Sequence, residues 1–310
     1  MNLLRSALIA GSQNAWLRKQ ASRRRSLRRA VSRFMPGETL DDALRAAGAL
    51  RDLGMGAILT HLGENVRGRA EAEAVTRHYF EVIERVRAME LDAEISVKLT
   101  QLGLDVSPDL AHDNLARVAS CAQPLGNRVW IDMESSAYTD TTLVALRHVR
   151  GSRANVGVCL QSYLRRTASD LEALLPLGVP IRLVKGAYDE PPRLAFRSKR
   201  QVDESFMALA ARLLSDEARR AGVWFAAATH DPKLIRRVEA LAASQGVAKT
   251  AYEFAMLYGV QRAEQLRLAR AGCRLRVLIS YGAYWFPWYM RRLAERPANV
   301  LFAVRSLLRA

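Results

Sequence analysis

Apolar residues along this chain fall in short runs, separated by longer stretches in which they recur every three or four positions. The runs are Gly56–His61, Glu94–Leu99, Arg128–Met133, Asn155–Gln161, Ile181–Lys185, Val223–Thr229, Thr250–Leu257 and Leu275–Tyr281. Each is rich in Val, Ile, Leu or aromatics and is bounded by Gly, Pro, Asn or a charge, the pattern of strands covered on both faces as in a parallel sheet. Helical spacing fills the intervals. Ala70–Met89 carries Ala74, Val75, Phe80, Val82, Ile83, Val86 and Met89 among charges. Ser107 followed by Pro108 predicts an N-cap and a first helical position. Further helices are predicted over Thr139–His148, Arg166–Leu175, Gln201–Ala221, Asp231–Ala243 and Gln261–Ala271, with Gly178, Gly222, Gly246 and Gly272 where C-terminal caps belong.

Strands alternating in this way with helices fit a (βα)8 TIM-type barrel, and 310 residues suit one such unit. The rival is a doubly wound sheet. Its glycine-rich fingerprint should follow the first strand, whereas Gly54-Met55-Gly56 precedes it, and there is no P-loop. The organisation expected is a basic, helical N-terminal segment over residues 1–35, then a barrel domain over 36–310. Its last helix, in the stretch Tyr281–Pro297, overhangs the C-terminal face of the barrel.

Charge adds a second theme. The net charge is +16, and Arg18–Arg33 concentrates arginines interleaved with Ser, Leu27 and Val31. Trp16, Leu17 and Phe34 would give a helix there an apolar side, which suits an anionic membrane surface better than a nucleic-acid tail; a solvated helix packed on the domain is the plain alternative. No run approaches the ~18 apolar residues of a membrane span. The N-terminus lacks the order of a secretory signal, so a cytoplasmic protein is expected. The three cysteines, Cys121, Cys159 and Cys273, form no CxxC, and with five histidines and no Cys/His cluster zinc is not expected. Cys159 reads as a buried small apolar residue.

In a barrel, chemistry gathers at the C-terminal ends of the strands. Those ends offer Glu64, Lys98 with Gln101, Asp132 with Glu134, Gln161, Lys185-Gly186, Thr229-His230-Asp231 and Tyr281, while strand five carries Arg182 and strand seven Glu253. Charges inside apolar strands are rarely buried unless paired or functional, and a structural ion pair is the competing reading for each. Beyond the last strand, Arg291 and Arg292 stand side by side, with Glu295 on the same helical face as Arg291 and Trp288 one turn earlier. Lys98, Arg182, Lys185, Arg291 and Arg292 together make a cationic pocket for an anionic cofactor and an anionic substrate. No Ser-His-Asp order and no carboxylate cage is apparent, and His230 reads more readily as a hydrogen-bonded anchor than as a base. A pocket of this kind needs a cofactor to carry the chemistry.

Several stretches, in order, resemble the bacterial proline dehydrogenases, flavoenzymes with a (βα)8 barrel. They are Ile95-Ser-Val-Lys-Leu-Thr-Gln-Leu-Gly103, Ile131-Asp-Met-Glu134, Val156-Gly-Val-Cys-Leu-Gln-Ser-Tyr-Leu-Arg-Arg-Thr167, Ile181-Arg-Leu-Val-Lys-Gly-Ala-Tyr188, Ala228-Thr-His-Asp231, Tyr252-Glu-Phe254, Met256-Leu-Tyr-Gly259 and Arg291-Arg-Leu-Ala-Glu295. The resemblance covers essentially everything after the basic segment. It implies FAD as cofactor and oxidation of L-proline to 1-pyrroline-5-carboxylate, by hydride transfer from C5 to flavin N5 and onward delivery of electrons to a membrane quinone. It further implies that Arg291 and Arg292 hold the proline carboxylate with help from Lys98. Glu64 and Glu295 would orient the arginines, and Asp132 would lie beside the substrate. Met133 and Gln161 would border the flavin ring, Gln161 hydrogen-bonding it, and Arg182 would sit near N5. Lys185, Gly186, Ala187, Thr229 and His230 would hold the ribityl and phosphate groups.

The chain also departs from the family pattern. Leu278 stands where a tyrosine near the substrate ring is usual, Ser280 where proline is, Ala283-Tyr284 replace an acidic pair, Trp288 replaces a tyrosine and Ala255 a glutamine. Loss of the tyrosine opens the same chemistry to hydroxyproline or another cyclic or N-substituted imino acid. A membrane- or nucleic-acid-associated protein with an inactive barrel is the non-enzymatic alternative, although no base-reading motif is present.

Overall fold

The computed structural model describes residues 31–286 and 288–290. Its centre is a closed barrel of eight parallel strands in sequence order. These are β1 (Gly56–His61), β2 (Ala93–Val97), β3 (Val129–Ile131), β4 (Val156–Gln161), β5 (Ile181–Val184), β6 (Phe225–Ala228), β7 (Glu253–Leu257) and β8 (Arg274–Tyr281). Closure is made by β8 pairing with β1, from Gly56 opposite Arg276 to His61 opposite Tyr281. Each predicted apolar run coincides with one strand, β2 and β8 beginning one residue before theirs.

The helices are α1 (Leu40–Arg51), α2 (Arg69–Ala88), α3 (Pro108–Ala122), α4 (Thr139–Arg150), α5 (Thr167–Leu174), α6 (Lys199–Leu214), α7 (Asp216–Arg220), α8 (Pro232–Ser244) and α9 (Arg262–Arg270). All but α1 and the break between α6 and α7 were anticipated. The first turn of α1 is fixed by a capping box: Thr39 Oγ1 accepts from the backbone N–H of Asp42 at 3.1 Å, and Asp42 Oδ2 accepts from that of Thr39 at 3.3 Å. The expected single helix over Gln201–Ala221 is divided at Ser215, whose extended backbone ends α6 and whose hydroxyl caps Ala218 N–H at 3.3 Å. Ser107 occupies the N-cap of α3 as expected, but its side chain makes no capping bond. The four glycines expected to cap helices all adopt left-handed backbone conformations.

Strand alternation divides the core into two parts. Outward-facing Leu59, Ile95, Val129, Leu160, Leu183, Phe225, Phe254 and Ile279 pack under the helices against residues such as Tyr79, Leu115 and Phe206. Inside the barrel, Ile58, Trp130, Ala226 and Ala255 form a small cluster with Trp224, Ala228 and Leu278 packed against it. Below it, at the N-terminal end, Glu94 binds Arg128 at 2.8 Å and Trp130 Nε1 at 2.6 Å, while Arg276 bridges Glu94 at 3.3 Å and Glu253 at 3.2 Å. Glu253, the first residue of β7, therefore belongs to a charged plug at the opposite end from the expected pocket.

A third cluster joins the two ends of the described chain. Val31, Phe34 and Met35 are buried with Leu62, Trp285, Phe286, Trp288 and Tyr289, and Trp285 Nε1 donates to Glu38 at 3.0 Å. Residues 285–286 and 288–290 are helical, the start of the helix expected after β8. Residues 1–30, with most of the basic segment, and 291–310 lie outside the described residues. Among the described residues, no helix is long and apolar enough to cross a membrane.

Candidate active site

The strands deliver the site through their period of two. On β2 and just beyond it, Glu94, Ser96 and Lys98 share the inward face; on β4, Cys159 and Gln161 do so. Asp132 follows β3, and Arg182 is the second residue of β5. Arg182 on β5 reaches Ser96 on β2 at 2.7 Å, a contact that must cross the barrel interior.

Asp132 is the hub. Its Oδ1 accepts from Ser96 Oγ at 2.7 Å and from Arg182 Nη2, and its Oδ2 accepts from Lys98 Nζ at 3.2 Å. Burial acts to raise its pKa, but the charges of Lys98 and Arg182, with the Ser96 hydrogen bond, outweigh it and hold the carboxyl below the usual range. Asp132 is thus a carboxylate with two cations on it, which leaves a net positive charge to meet an anionic ligand.

Arg182 is only 3% exposed. Its Nε donates to Cys159 Sγ at 2.9 Å, and its guanidinium carbon lies 5.2 Å from the Trp130 ring centroid. Nη1 has no partner among the described residues. Gln161 is similar: its Nε2 donates to the carbonyls of Met133 and Glu134, each at 3.3 Å, while its buried Oε1 has no partner among the described residues. Buried polar groups are expensive to leave unpaired, so a donor on Arg182 and an acceptor on Gln161 fit a polar heteroaromatic ligand.

The residues expected at the cofactor's other end gather after β5 and β6. Gly186 has a φ of +117°, and a Cβ there would stand 2.1 Å from the Tyr163 ring, so the backbone approaches that ring as only glycine can. Ala187 beside it is exposed. Thr229 is buried and accepts from Asp231 N–H at 3.2 Å. His230 Nε2 accepts from the Leu257 backbone at 2.8 Å, which fixes its tautomer and bears out the anchor reading. Lys185 was expected to present its charge to phosphate. It lies 2.6 Å from Asp203 and 3.6 Å from Asp231, and Lys199 pairs with the same two carboxylates. Any phosphate would meet a balanced quartet of charges, not a lone cation.

Glu64, in the loop after β1, stands within electrostatic reach of Glu134. Burial pushes Glu134 up to about 7, Lys98 opposes, and Glu64 adds to the rise. Leu278 projects into the barrel, packed against the interior cluster and level with Ile58 of β1 and Leu257 of β7. Arg291, Arg292 and Glu295 lie outside the described residues.

Ser96, Cys159, Lys199 and Asp203 were missed as site neighbours. Two had a usable signal: Ser96 lies two residues before Lys98, and Cys159 two before Gln161, so each shares a strand face with a residue already chosen. Cys159 is buried as expected, but it is hydrogen-bonded to an arginine and is not simply an apolar filler.

A family model described as proline dehydrogenase matches residues 43–305. Proline dehydrogenase 1 of Bacillus subtilis subsp. natto is 36% identical over 308 residues, covering 99% of this chain and all of the relative. The proline dehydrogenase of Deinococcus radiodurans is 33% identical over 312 residues, covering 99% of this chain and 98% of that protein. The barrel also superposes on proline utilization A from Bdellovibrio bacteriovorus, inactivated by N-propargylglycine, with a TM-score of 0.81 at 22% identity. That match covers 95% of this chain but 37% of the larger protein, and it speaks to the fold alone. With a family model spanning most of the sequence and end-to-end relatives above 30% identity, this chain belongs to the proline dehydrogenase family.

Proposed function

We propose that the protein oxidises L-proline to 1-pyrroline-5-carboxylate with FAD as cofactor, and that its electrons leave to a membrane quinone. The observation that carries this reading is the buried Arg182–Asp132–Lys98 network, with Arg182 Nη1 and Gln161 Oε1 beside it unpartnered among the described residues. When bound, FAD supplies the two-electron acceptor for the hydride from proline C5. The side chains do the rest. Lys98, with Arg291 and Arg292, attracts the proline carboxylate, and Glu64 and Glu295 orient the arginines. The excess of cations favours a neutral ring amine, the form from which hydride can leave. Arg182, held by Asp132, offers positive charge where negative charge develops on the ring system of the cofactor. Gln161 and the Met133 backbone border that ring, while Gly186, Ala187, Thr229, His230 and Lys185 line the path of the ribityl and phosphate groups.

A second reading concerns the substrate. Leu278 faces the interior without a hydroxyl, beside the small residues Ala228 and Ala255. That supports hydroxyproline or another substituted imino acid on the same chemistry. The basic N-terminal segment suits transient contact with anionic lipid, near the quinone, for a protein otherwise in the cytoplasm.

Two measurements test the proposal. The purified protein is expected to take up FAD stoichiometrically and to reduce a soluble quinone when given L-proline. Failure to take up FAD contradicts the cofactor assignment. Flavin uptake with no quinone reduction contradicts the acceptor.

A further inference from the structure

We propose that Cys159 is a positioning residue for the reaction, its thiol locking the Arg182 guanidinium so that Nη1 stays presented to the cofactor. The inference rests on the FAD reading above and adds a residue to it.

A guanidinium carries five N–H groups in a rigid plane. Nη2 spends its two on Ser96 Oγ, at 2.7 Å, and on Asp132 Oδ1. Nε donates to Cys159 Sγ at 2.9 Å. Among the described residues only Nη1 is left without a partner, on a side chain that is 3% exposed. Three protein contacts, through Nε–H and both hydrogens of Nη2, therefore decide which nitrogen points away from the network.

Cys159 holds the Nε side of the guanidinium. It pairs directly across from Arg182 in the β4–β5 register, so two rigid strands set the Sγ–Nε contact. Sγ also lies 3.7 Å from Asp132 Oδ1, within reach for its S–H to donate. The thiol then accepts from the arginine and donates to the aspartate, closing a ring of contacts through Ser96, Asp132 and Arg182. Burial pushes the thiol up to about 12, so it keeps the proton this double role needs. Without Sγ, Nε loses its acceptor. The guanidinium then gains by turning, and a turn exchanges the nitrogen presented to the cofactor.

The test compares Cys159→Val, which is slightly larger and removes both bonds, with Cys159→Ser, which keeps both bonding roles on a shorter side chain. With FAD bound, the valine variant should show a more negative flavin midpoint potential. Its proline-driven flavin reduction should slow about five- to tenfold, the loss of one net hydrogen bond, with proline affinity little changed. The serine variant should recover part of both. A valine variant with unchanged potential and rate overturns the proposal. Failure of the wild type to take up FAD overturns the functional reading as well, so the two failures are distinct. Infrared difference spectra of the wild type cover the case in which variants do not fold. An S–H stretching band should shift on flavin reduction, and the absence of any such shift contradicts the proposed role.

Discussion

Lys98 and Asp132, at the ends of the neighbouring strands β2 and β3, pair at 3.2 Å, with side chains only 13% and 20% exposed. Asp132 simultaneously receives Arg182 from below. One carboxylate thus holds two cations that come from strands on different sides of the interior. Replacing it by a neutral isostere leaves both cations in a low-dielectric pocket without an anion, which is costly.

Asp132→Asn should therefore lose roughly 3 kcal/mol of stability in urea unfolding. It should also slow proline-dependent flavin reduction about 100-fold, since Arg182 loses its anchor. A variant as stable and as active as the wild type would mean that the network is incidental.

Glu134 makes stability depend on pH. Its folded pKa, about 7, lies above the ordinary value of 4.5, because burial disfavours the charged form. For such a group the stabilising contribution is fully present below about pH 4.5 and is lost as pH climbs through about 7, a change of roughly 3 kcal/mol. Glu134→Gln keeps an acceptor for Thr100, whose hydroxyl now donates to Glu134 at 2.8 Å. Urea midpoints at pH 5 and pH 8 should differ less in the variant than in the wild type. Equal differences would refute the assignment.

Lys185 shares Asp203 and Asp231 with Lys199. Lys185→Met should weaken FAD binding by about tenfold, near the lower bound for one charge-assisted hydrogen bond, because the lysine gives up part of its pairing to engage phosphate. Fluorescence titration with FAD reads this directly. An unchanged dissociation constant would remove Lys185 from the cofactor site.

The barrel was legible because its signal is periodic: strand runs buried on both faces and helices of ordinary length recur in order. Charges on those runs then pointed to Lys98, Asp132 and Arg182. Less legible was anything set by the third dimension. Glu253 resembles the other strand charges in sequence, but its place at the first residue of β7 puts it in the lower plug with Arg276 and Glu94. Lys185 looked free because Asp203 and Asp231 lie on or before later helices. The helix break at Ser215 was hidden because a cap hydroxyl and a mid-helix serine read alike.

Leu278→Tyr addresses substrate choice. A tyrosine at this inward-facing position should raise the kcat/KM ratio of L-proline over hydroxyproline by about tenfold, the usual discrimination from one wall of a small pocket. An unchanged ratio would show that this position does not set specificity.

Flavin-dependent oxidation of proline is read out by an anaerobic titration of the FAD-loaded protein with L-proline, followed by flavin absorbance. The yellow oxidised band should bleach to completion, with 1-pyrroline-5-carboxylate formed in equal amount. A flavin that stays oxidised with L-proline, hydroxyproline and N-substituted imino acids alike would contradict it.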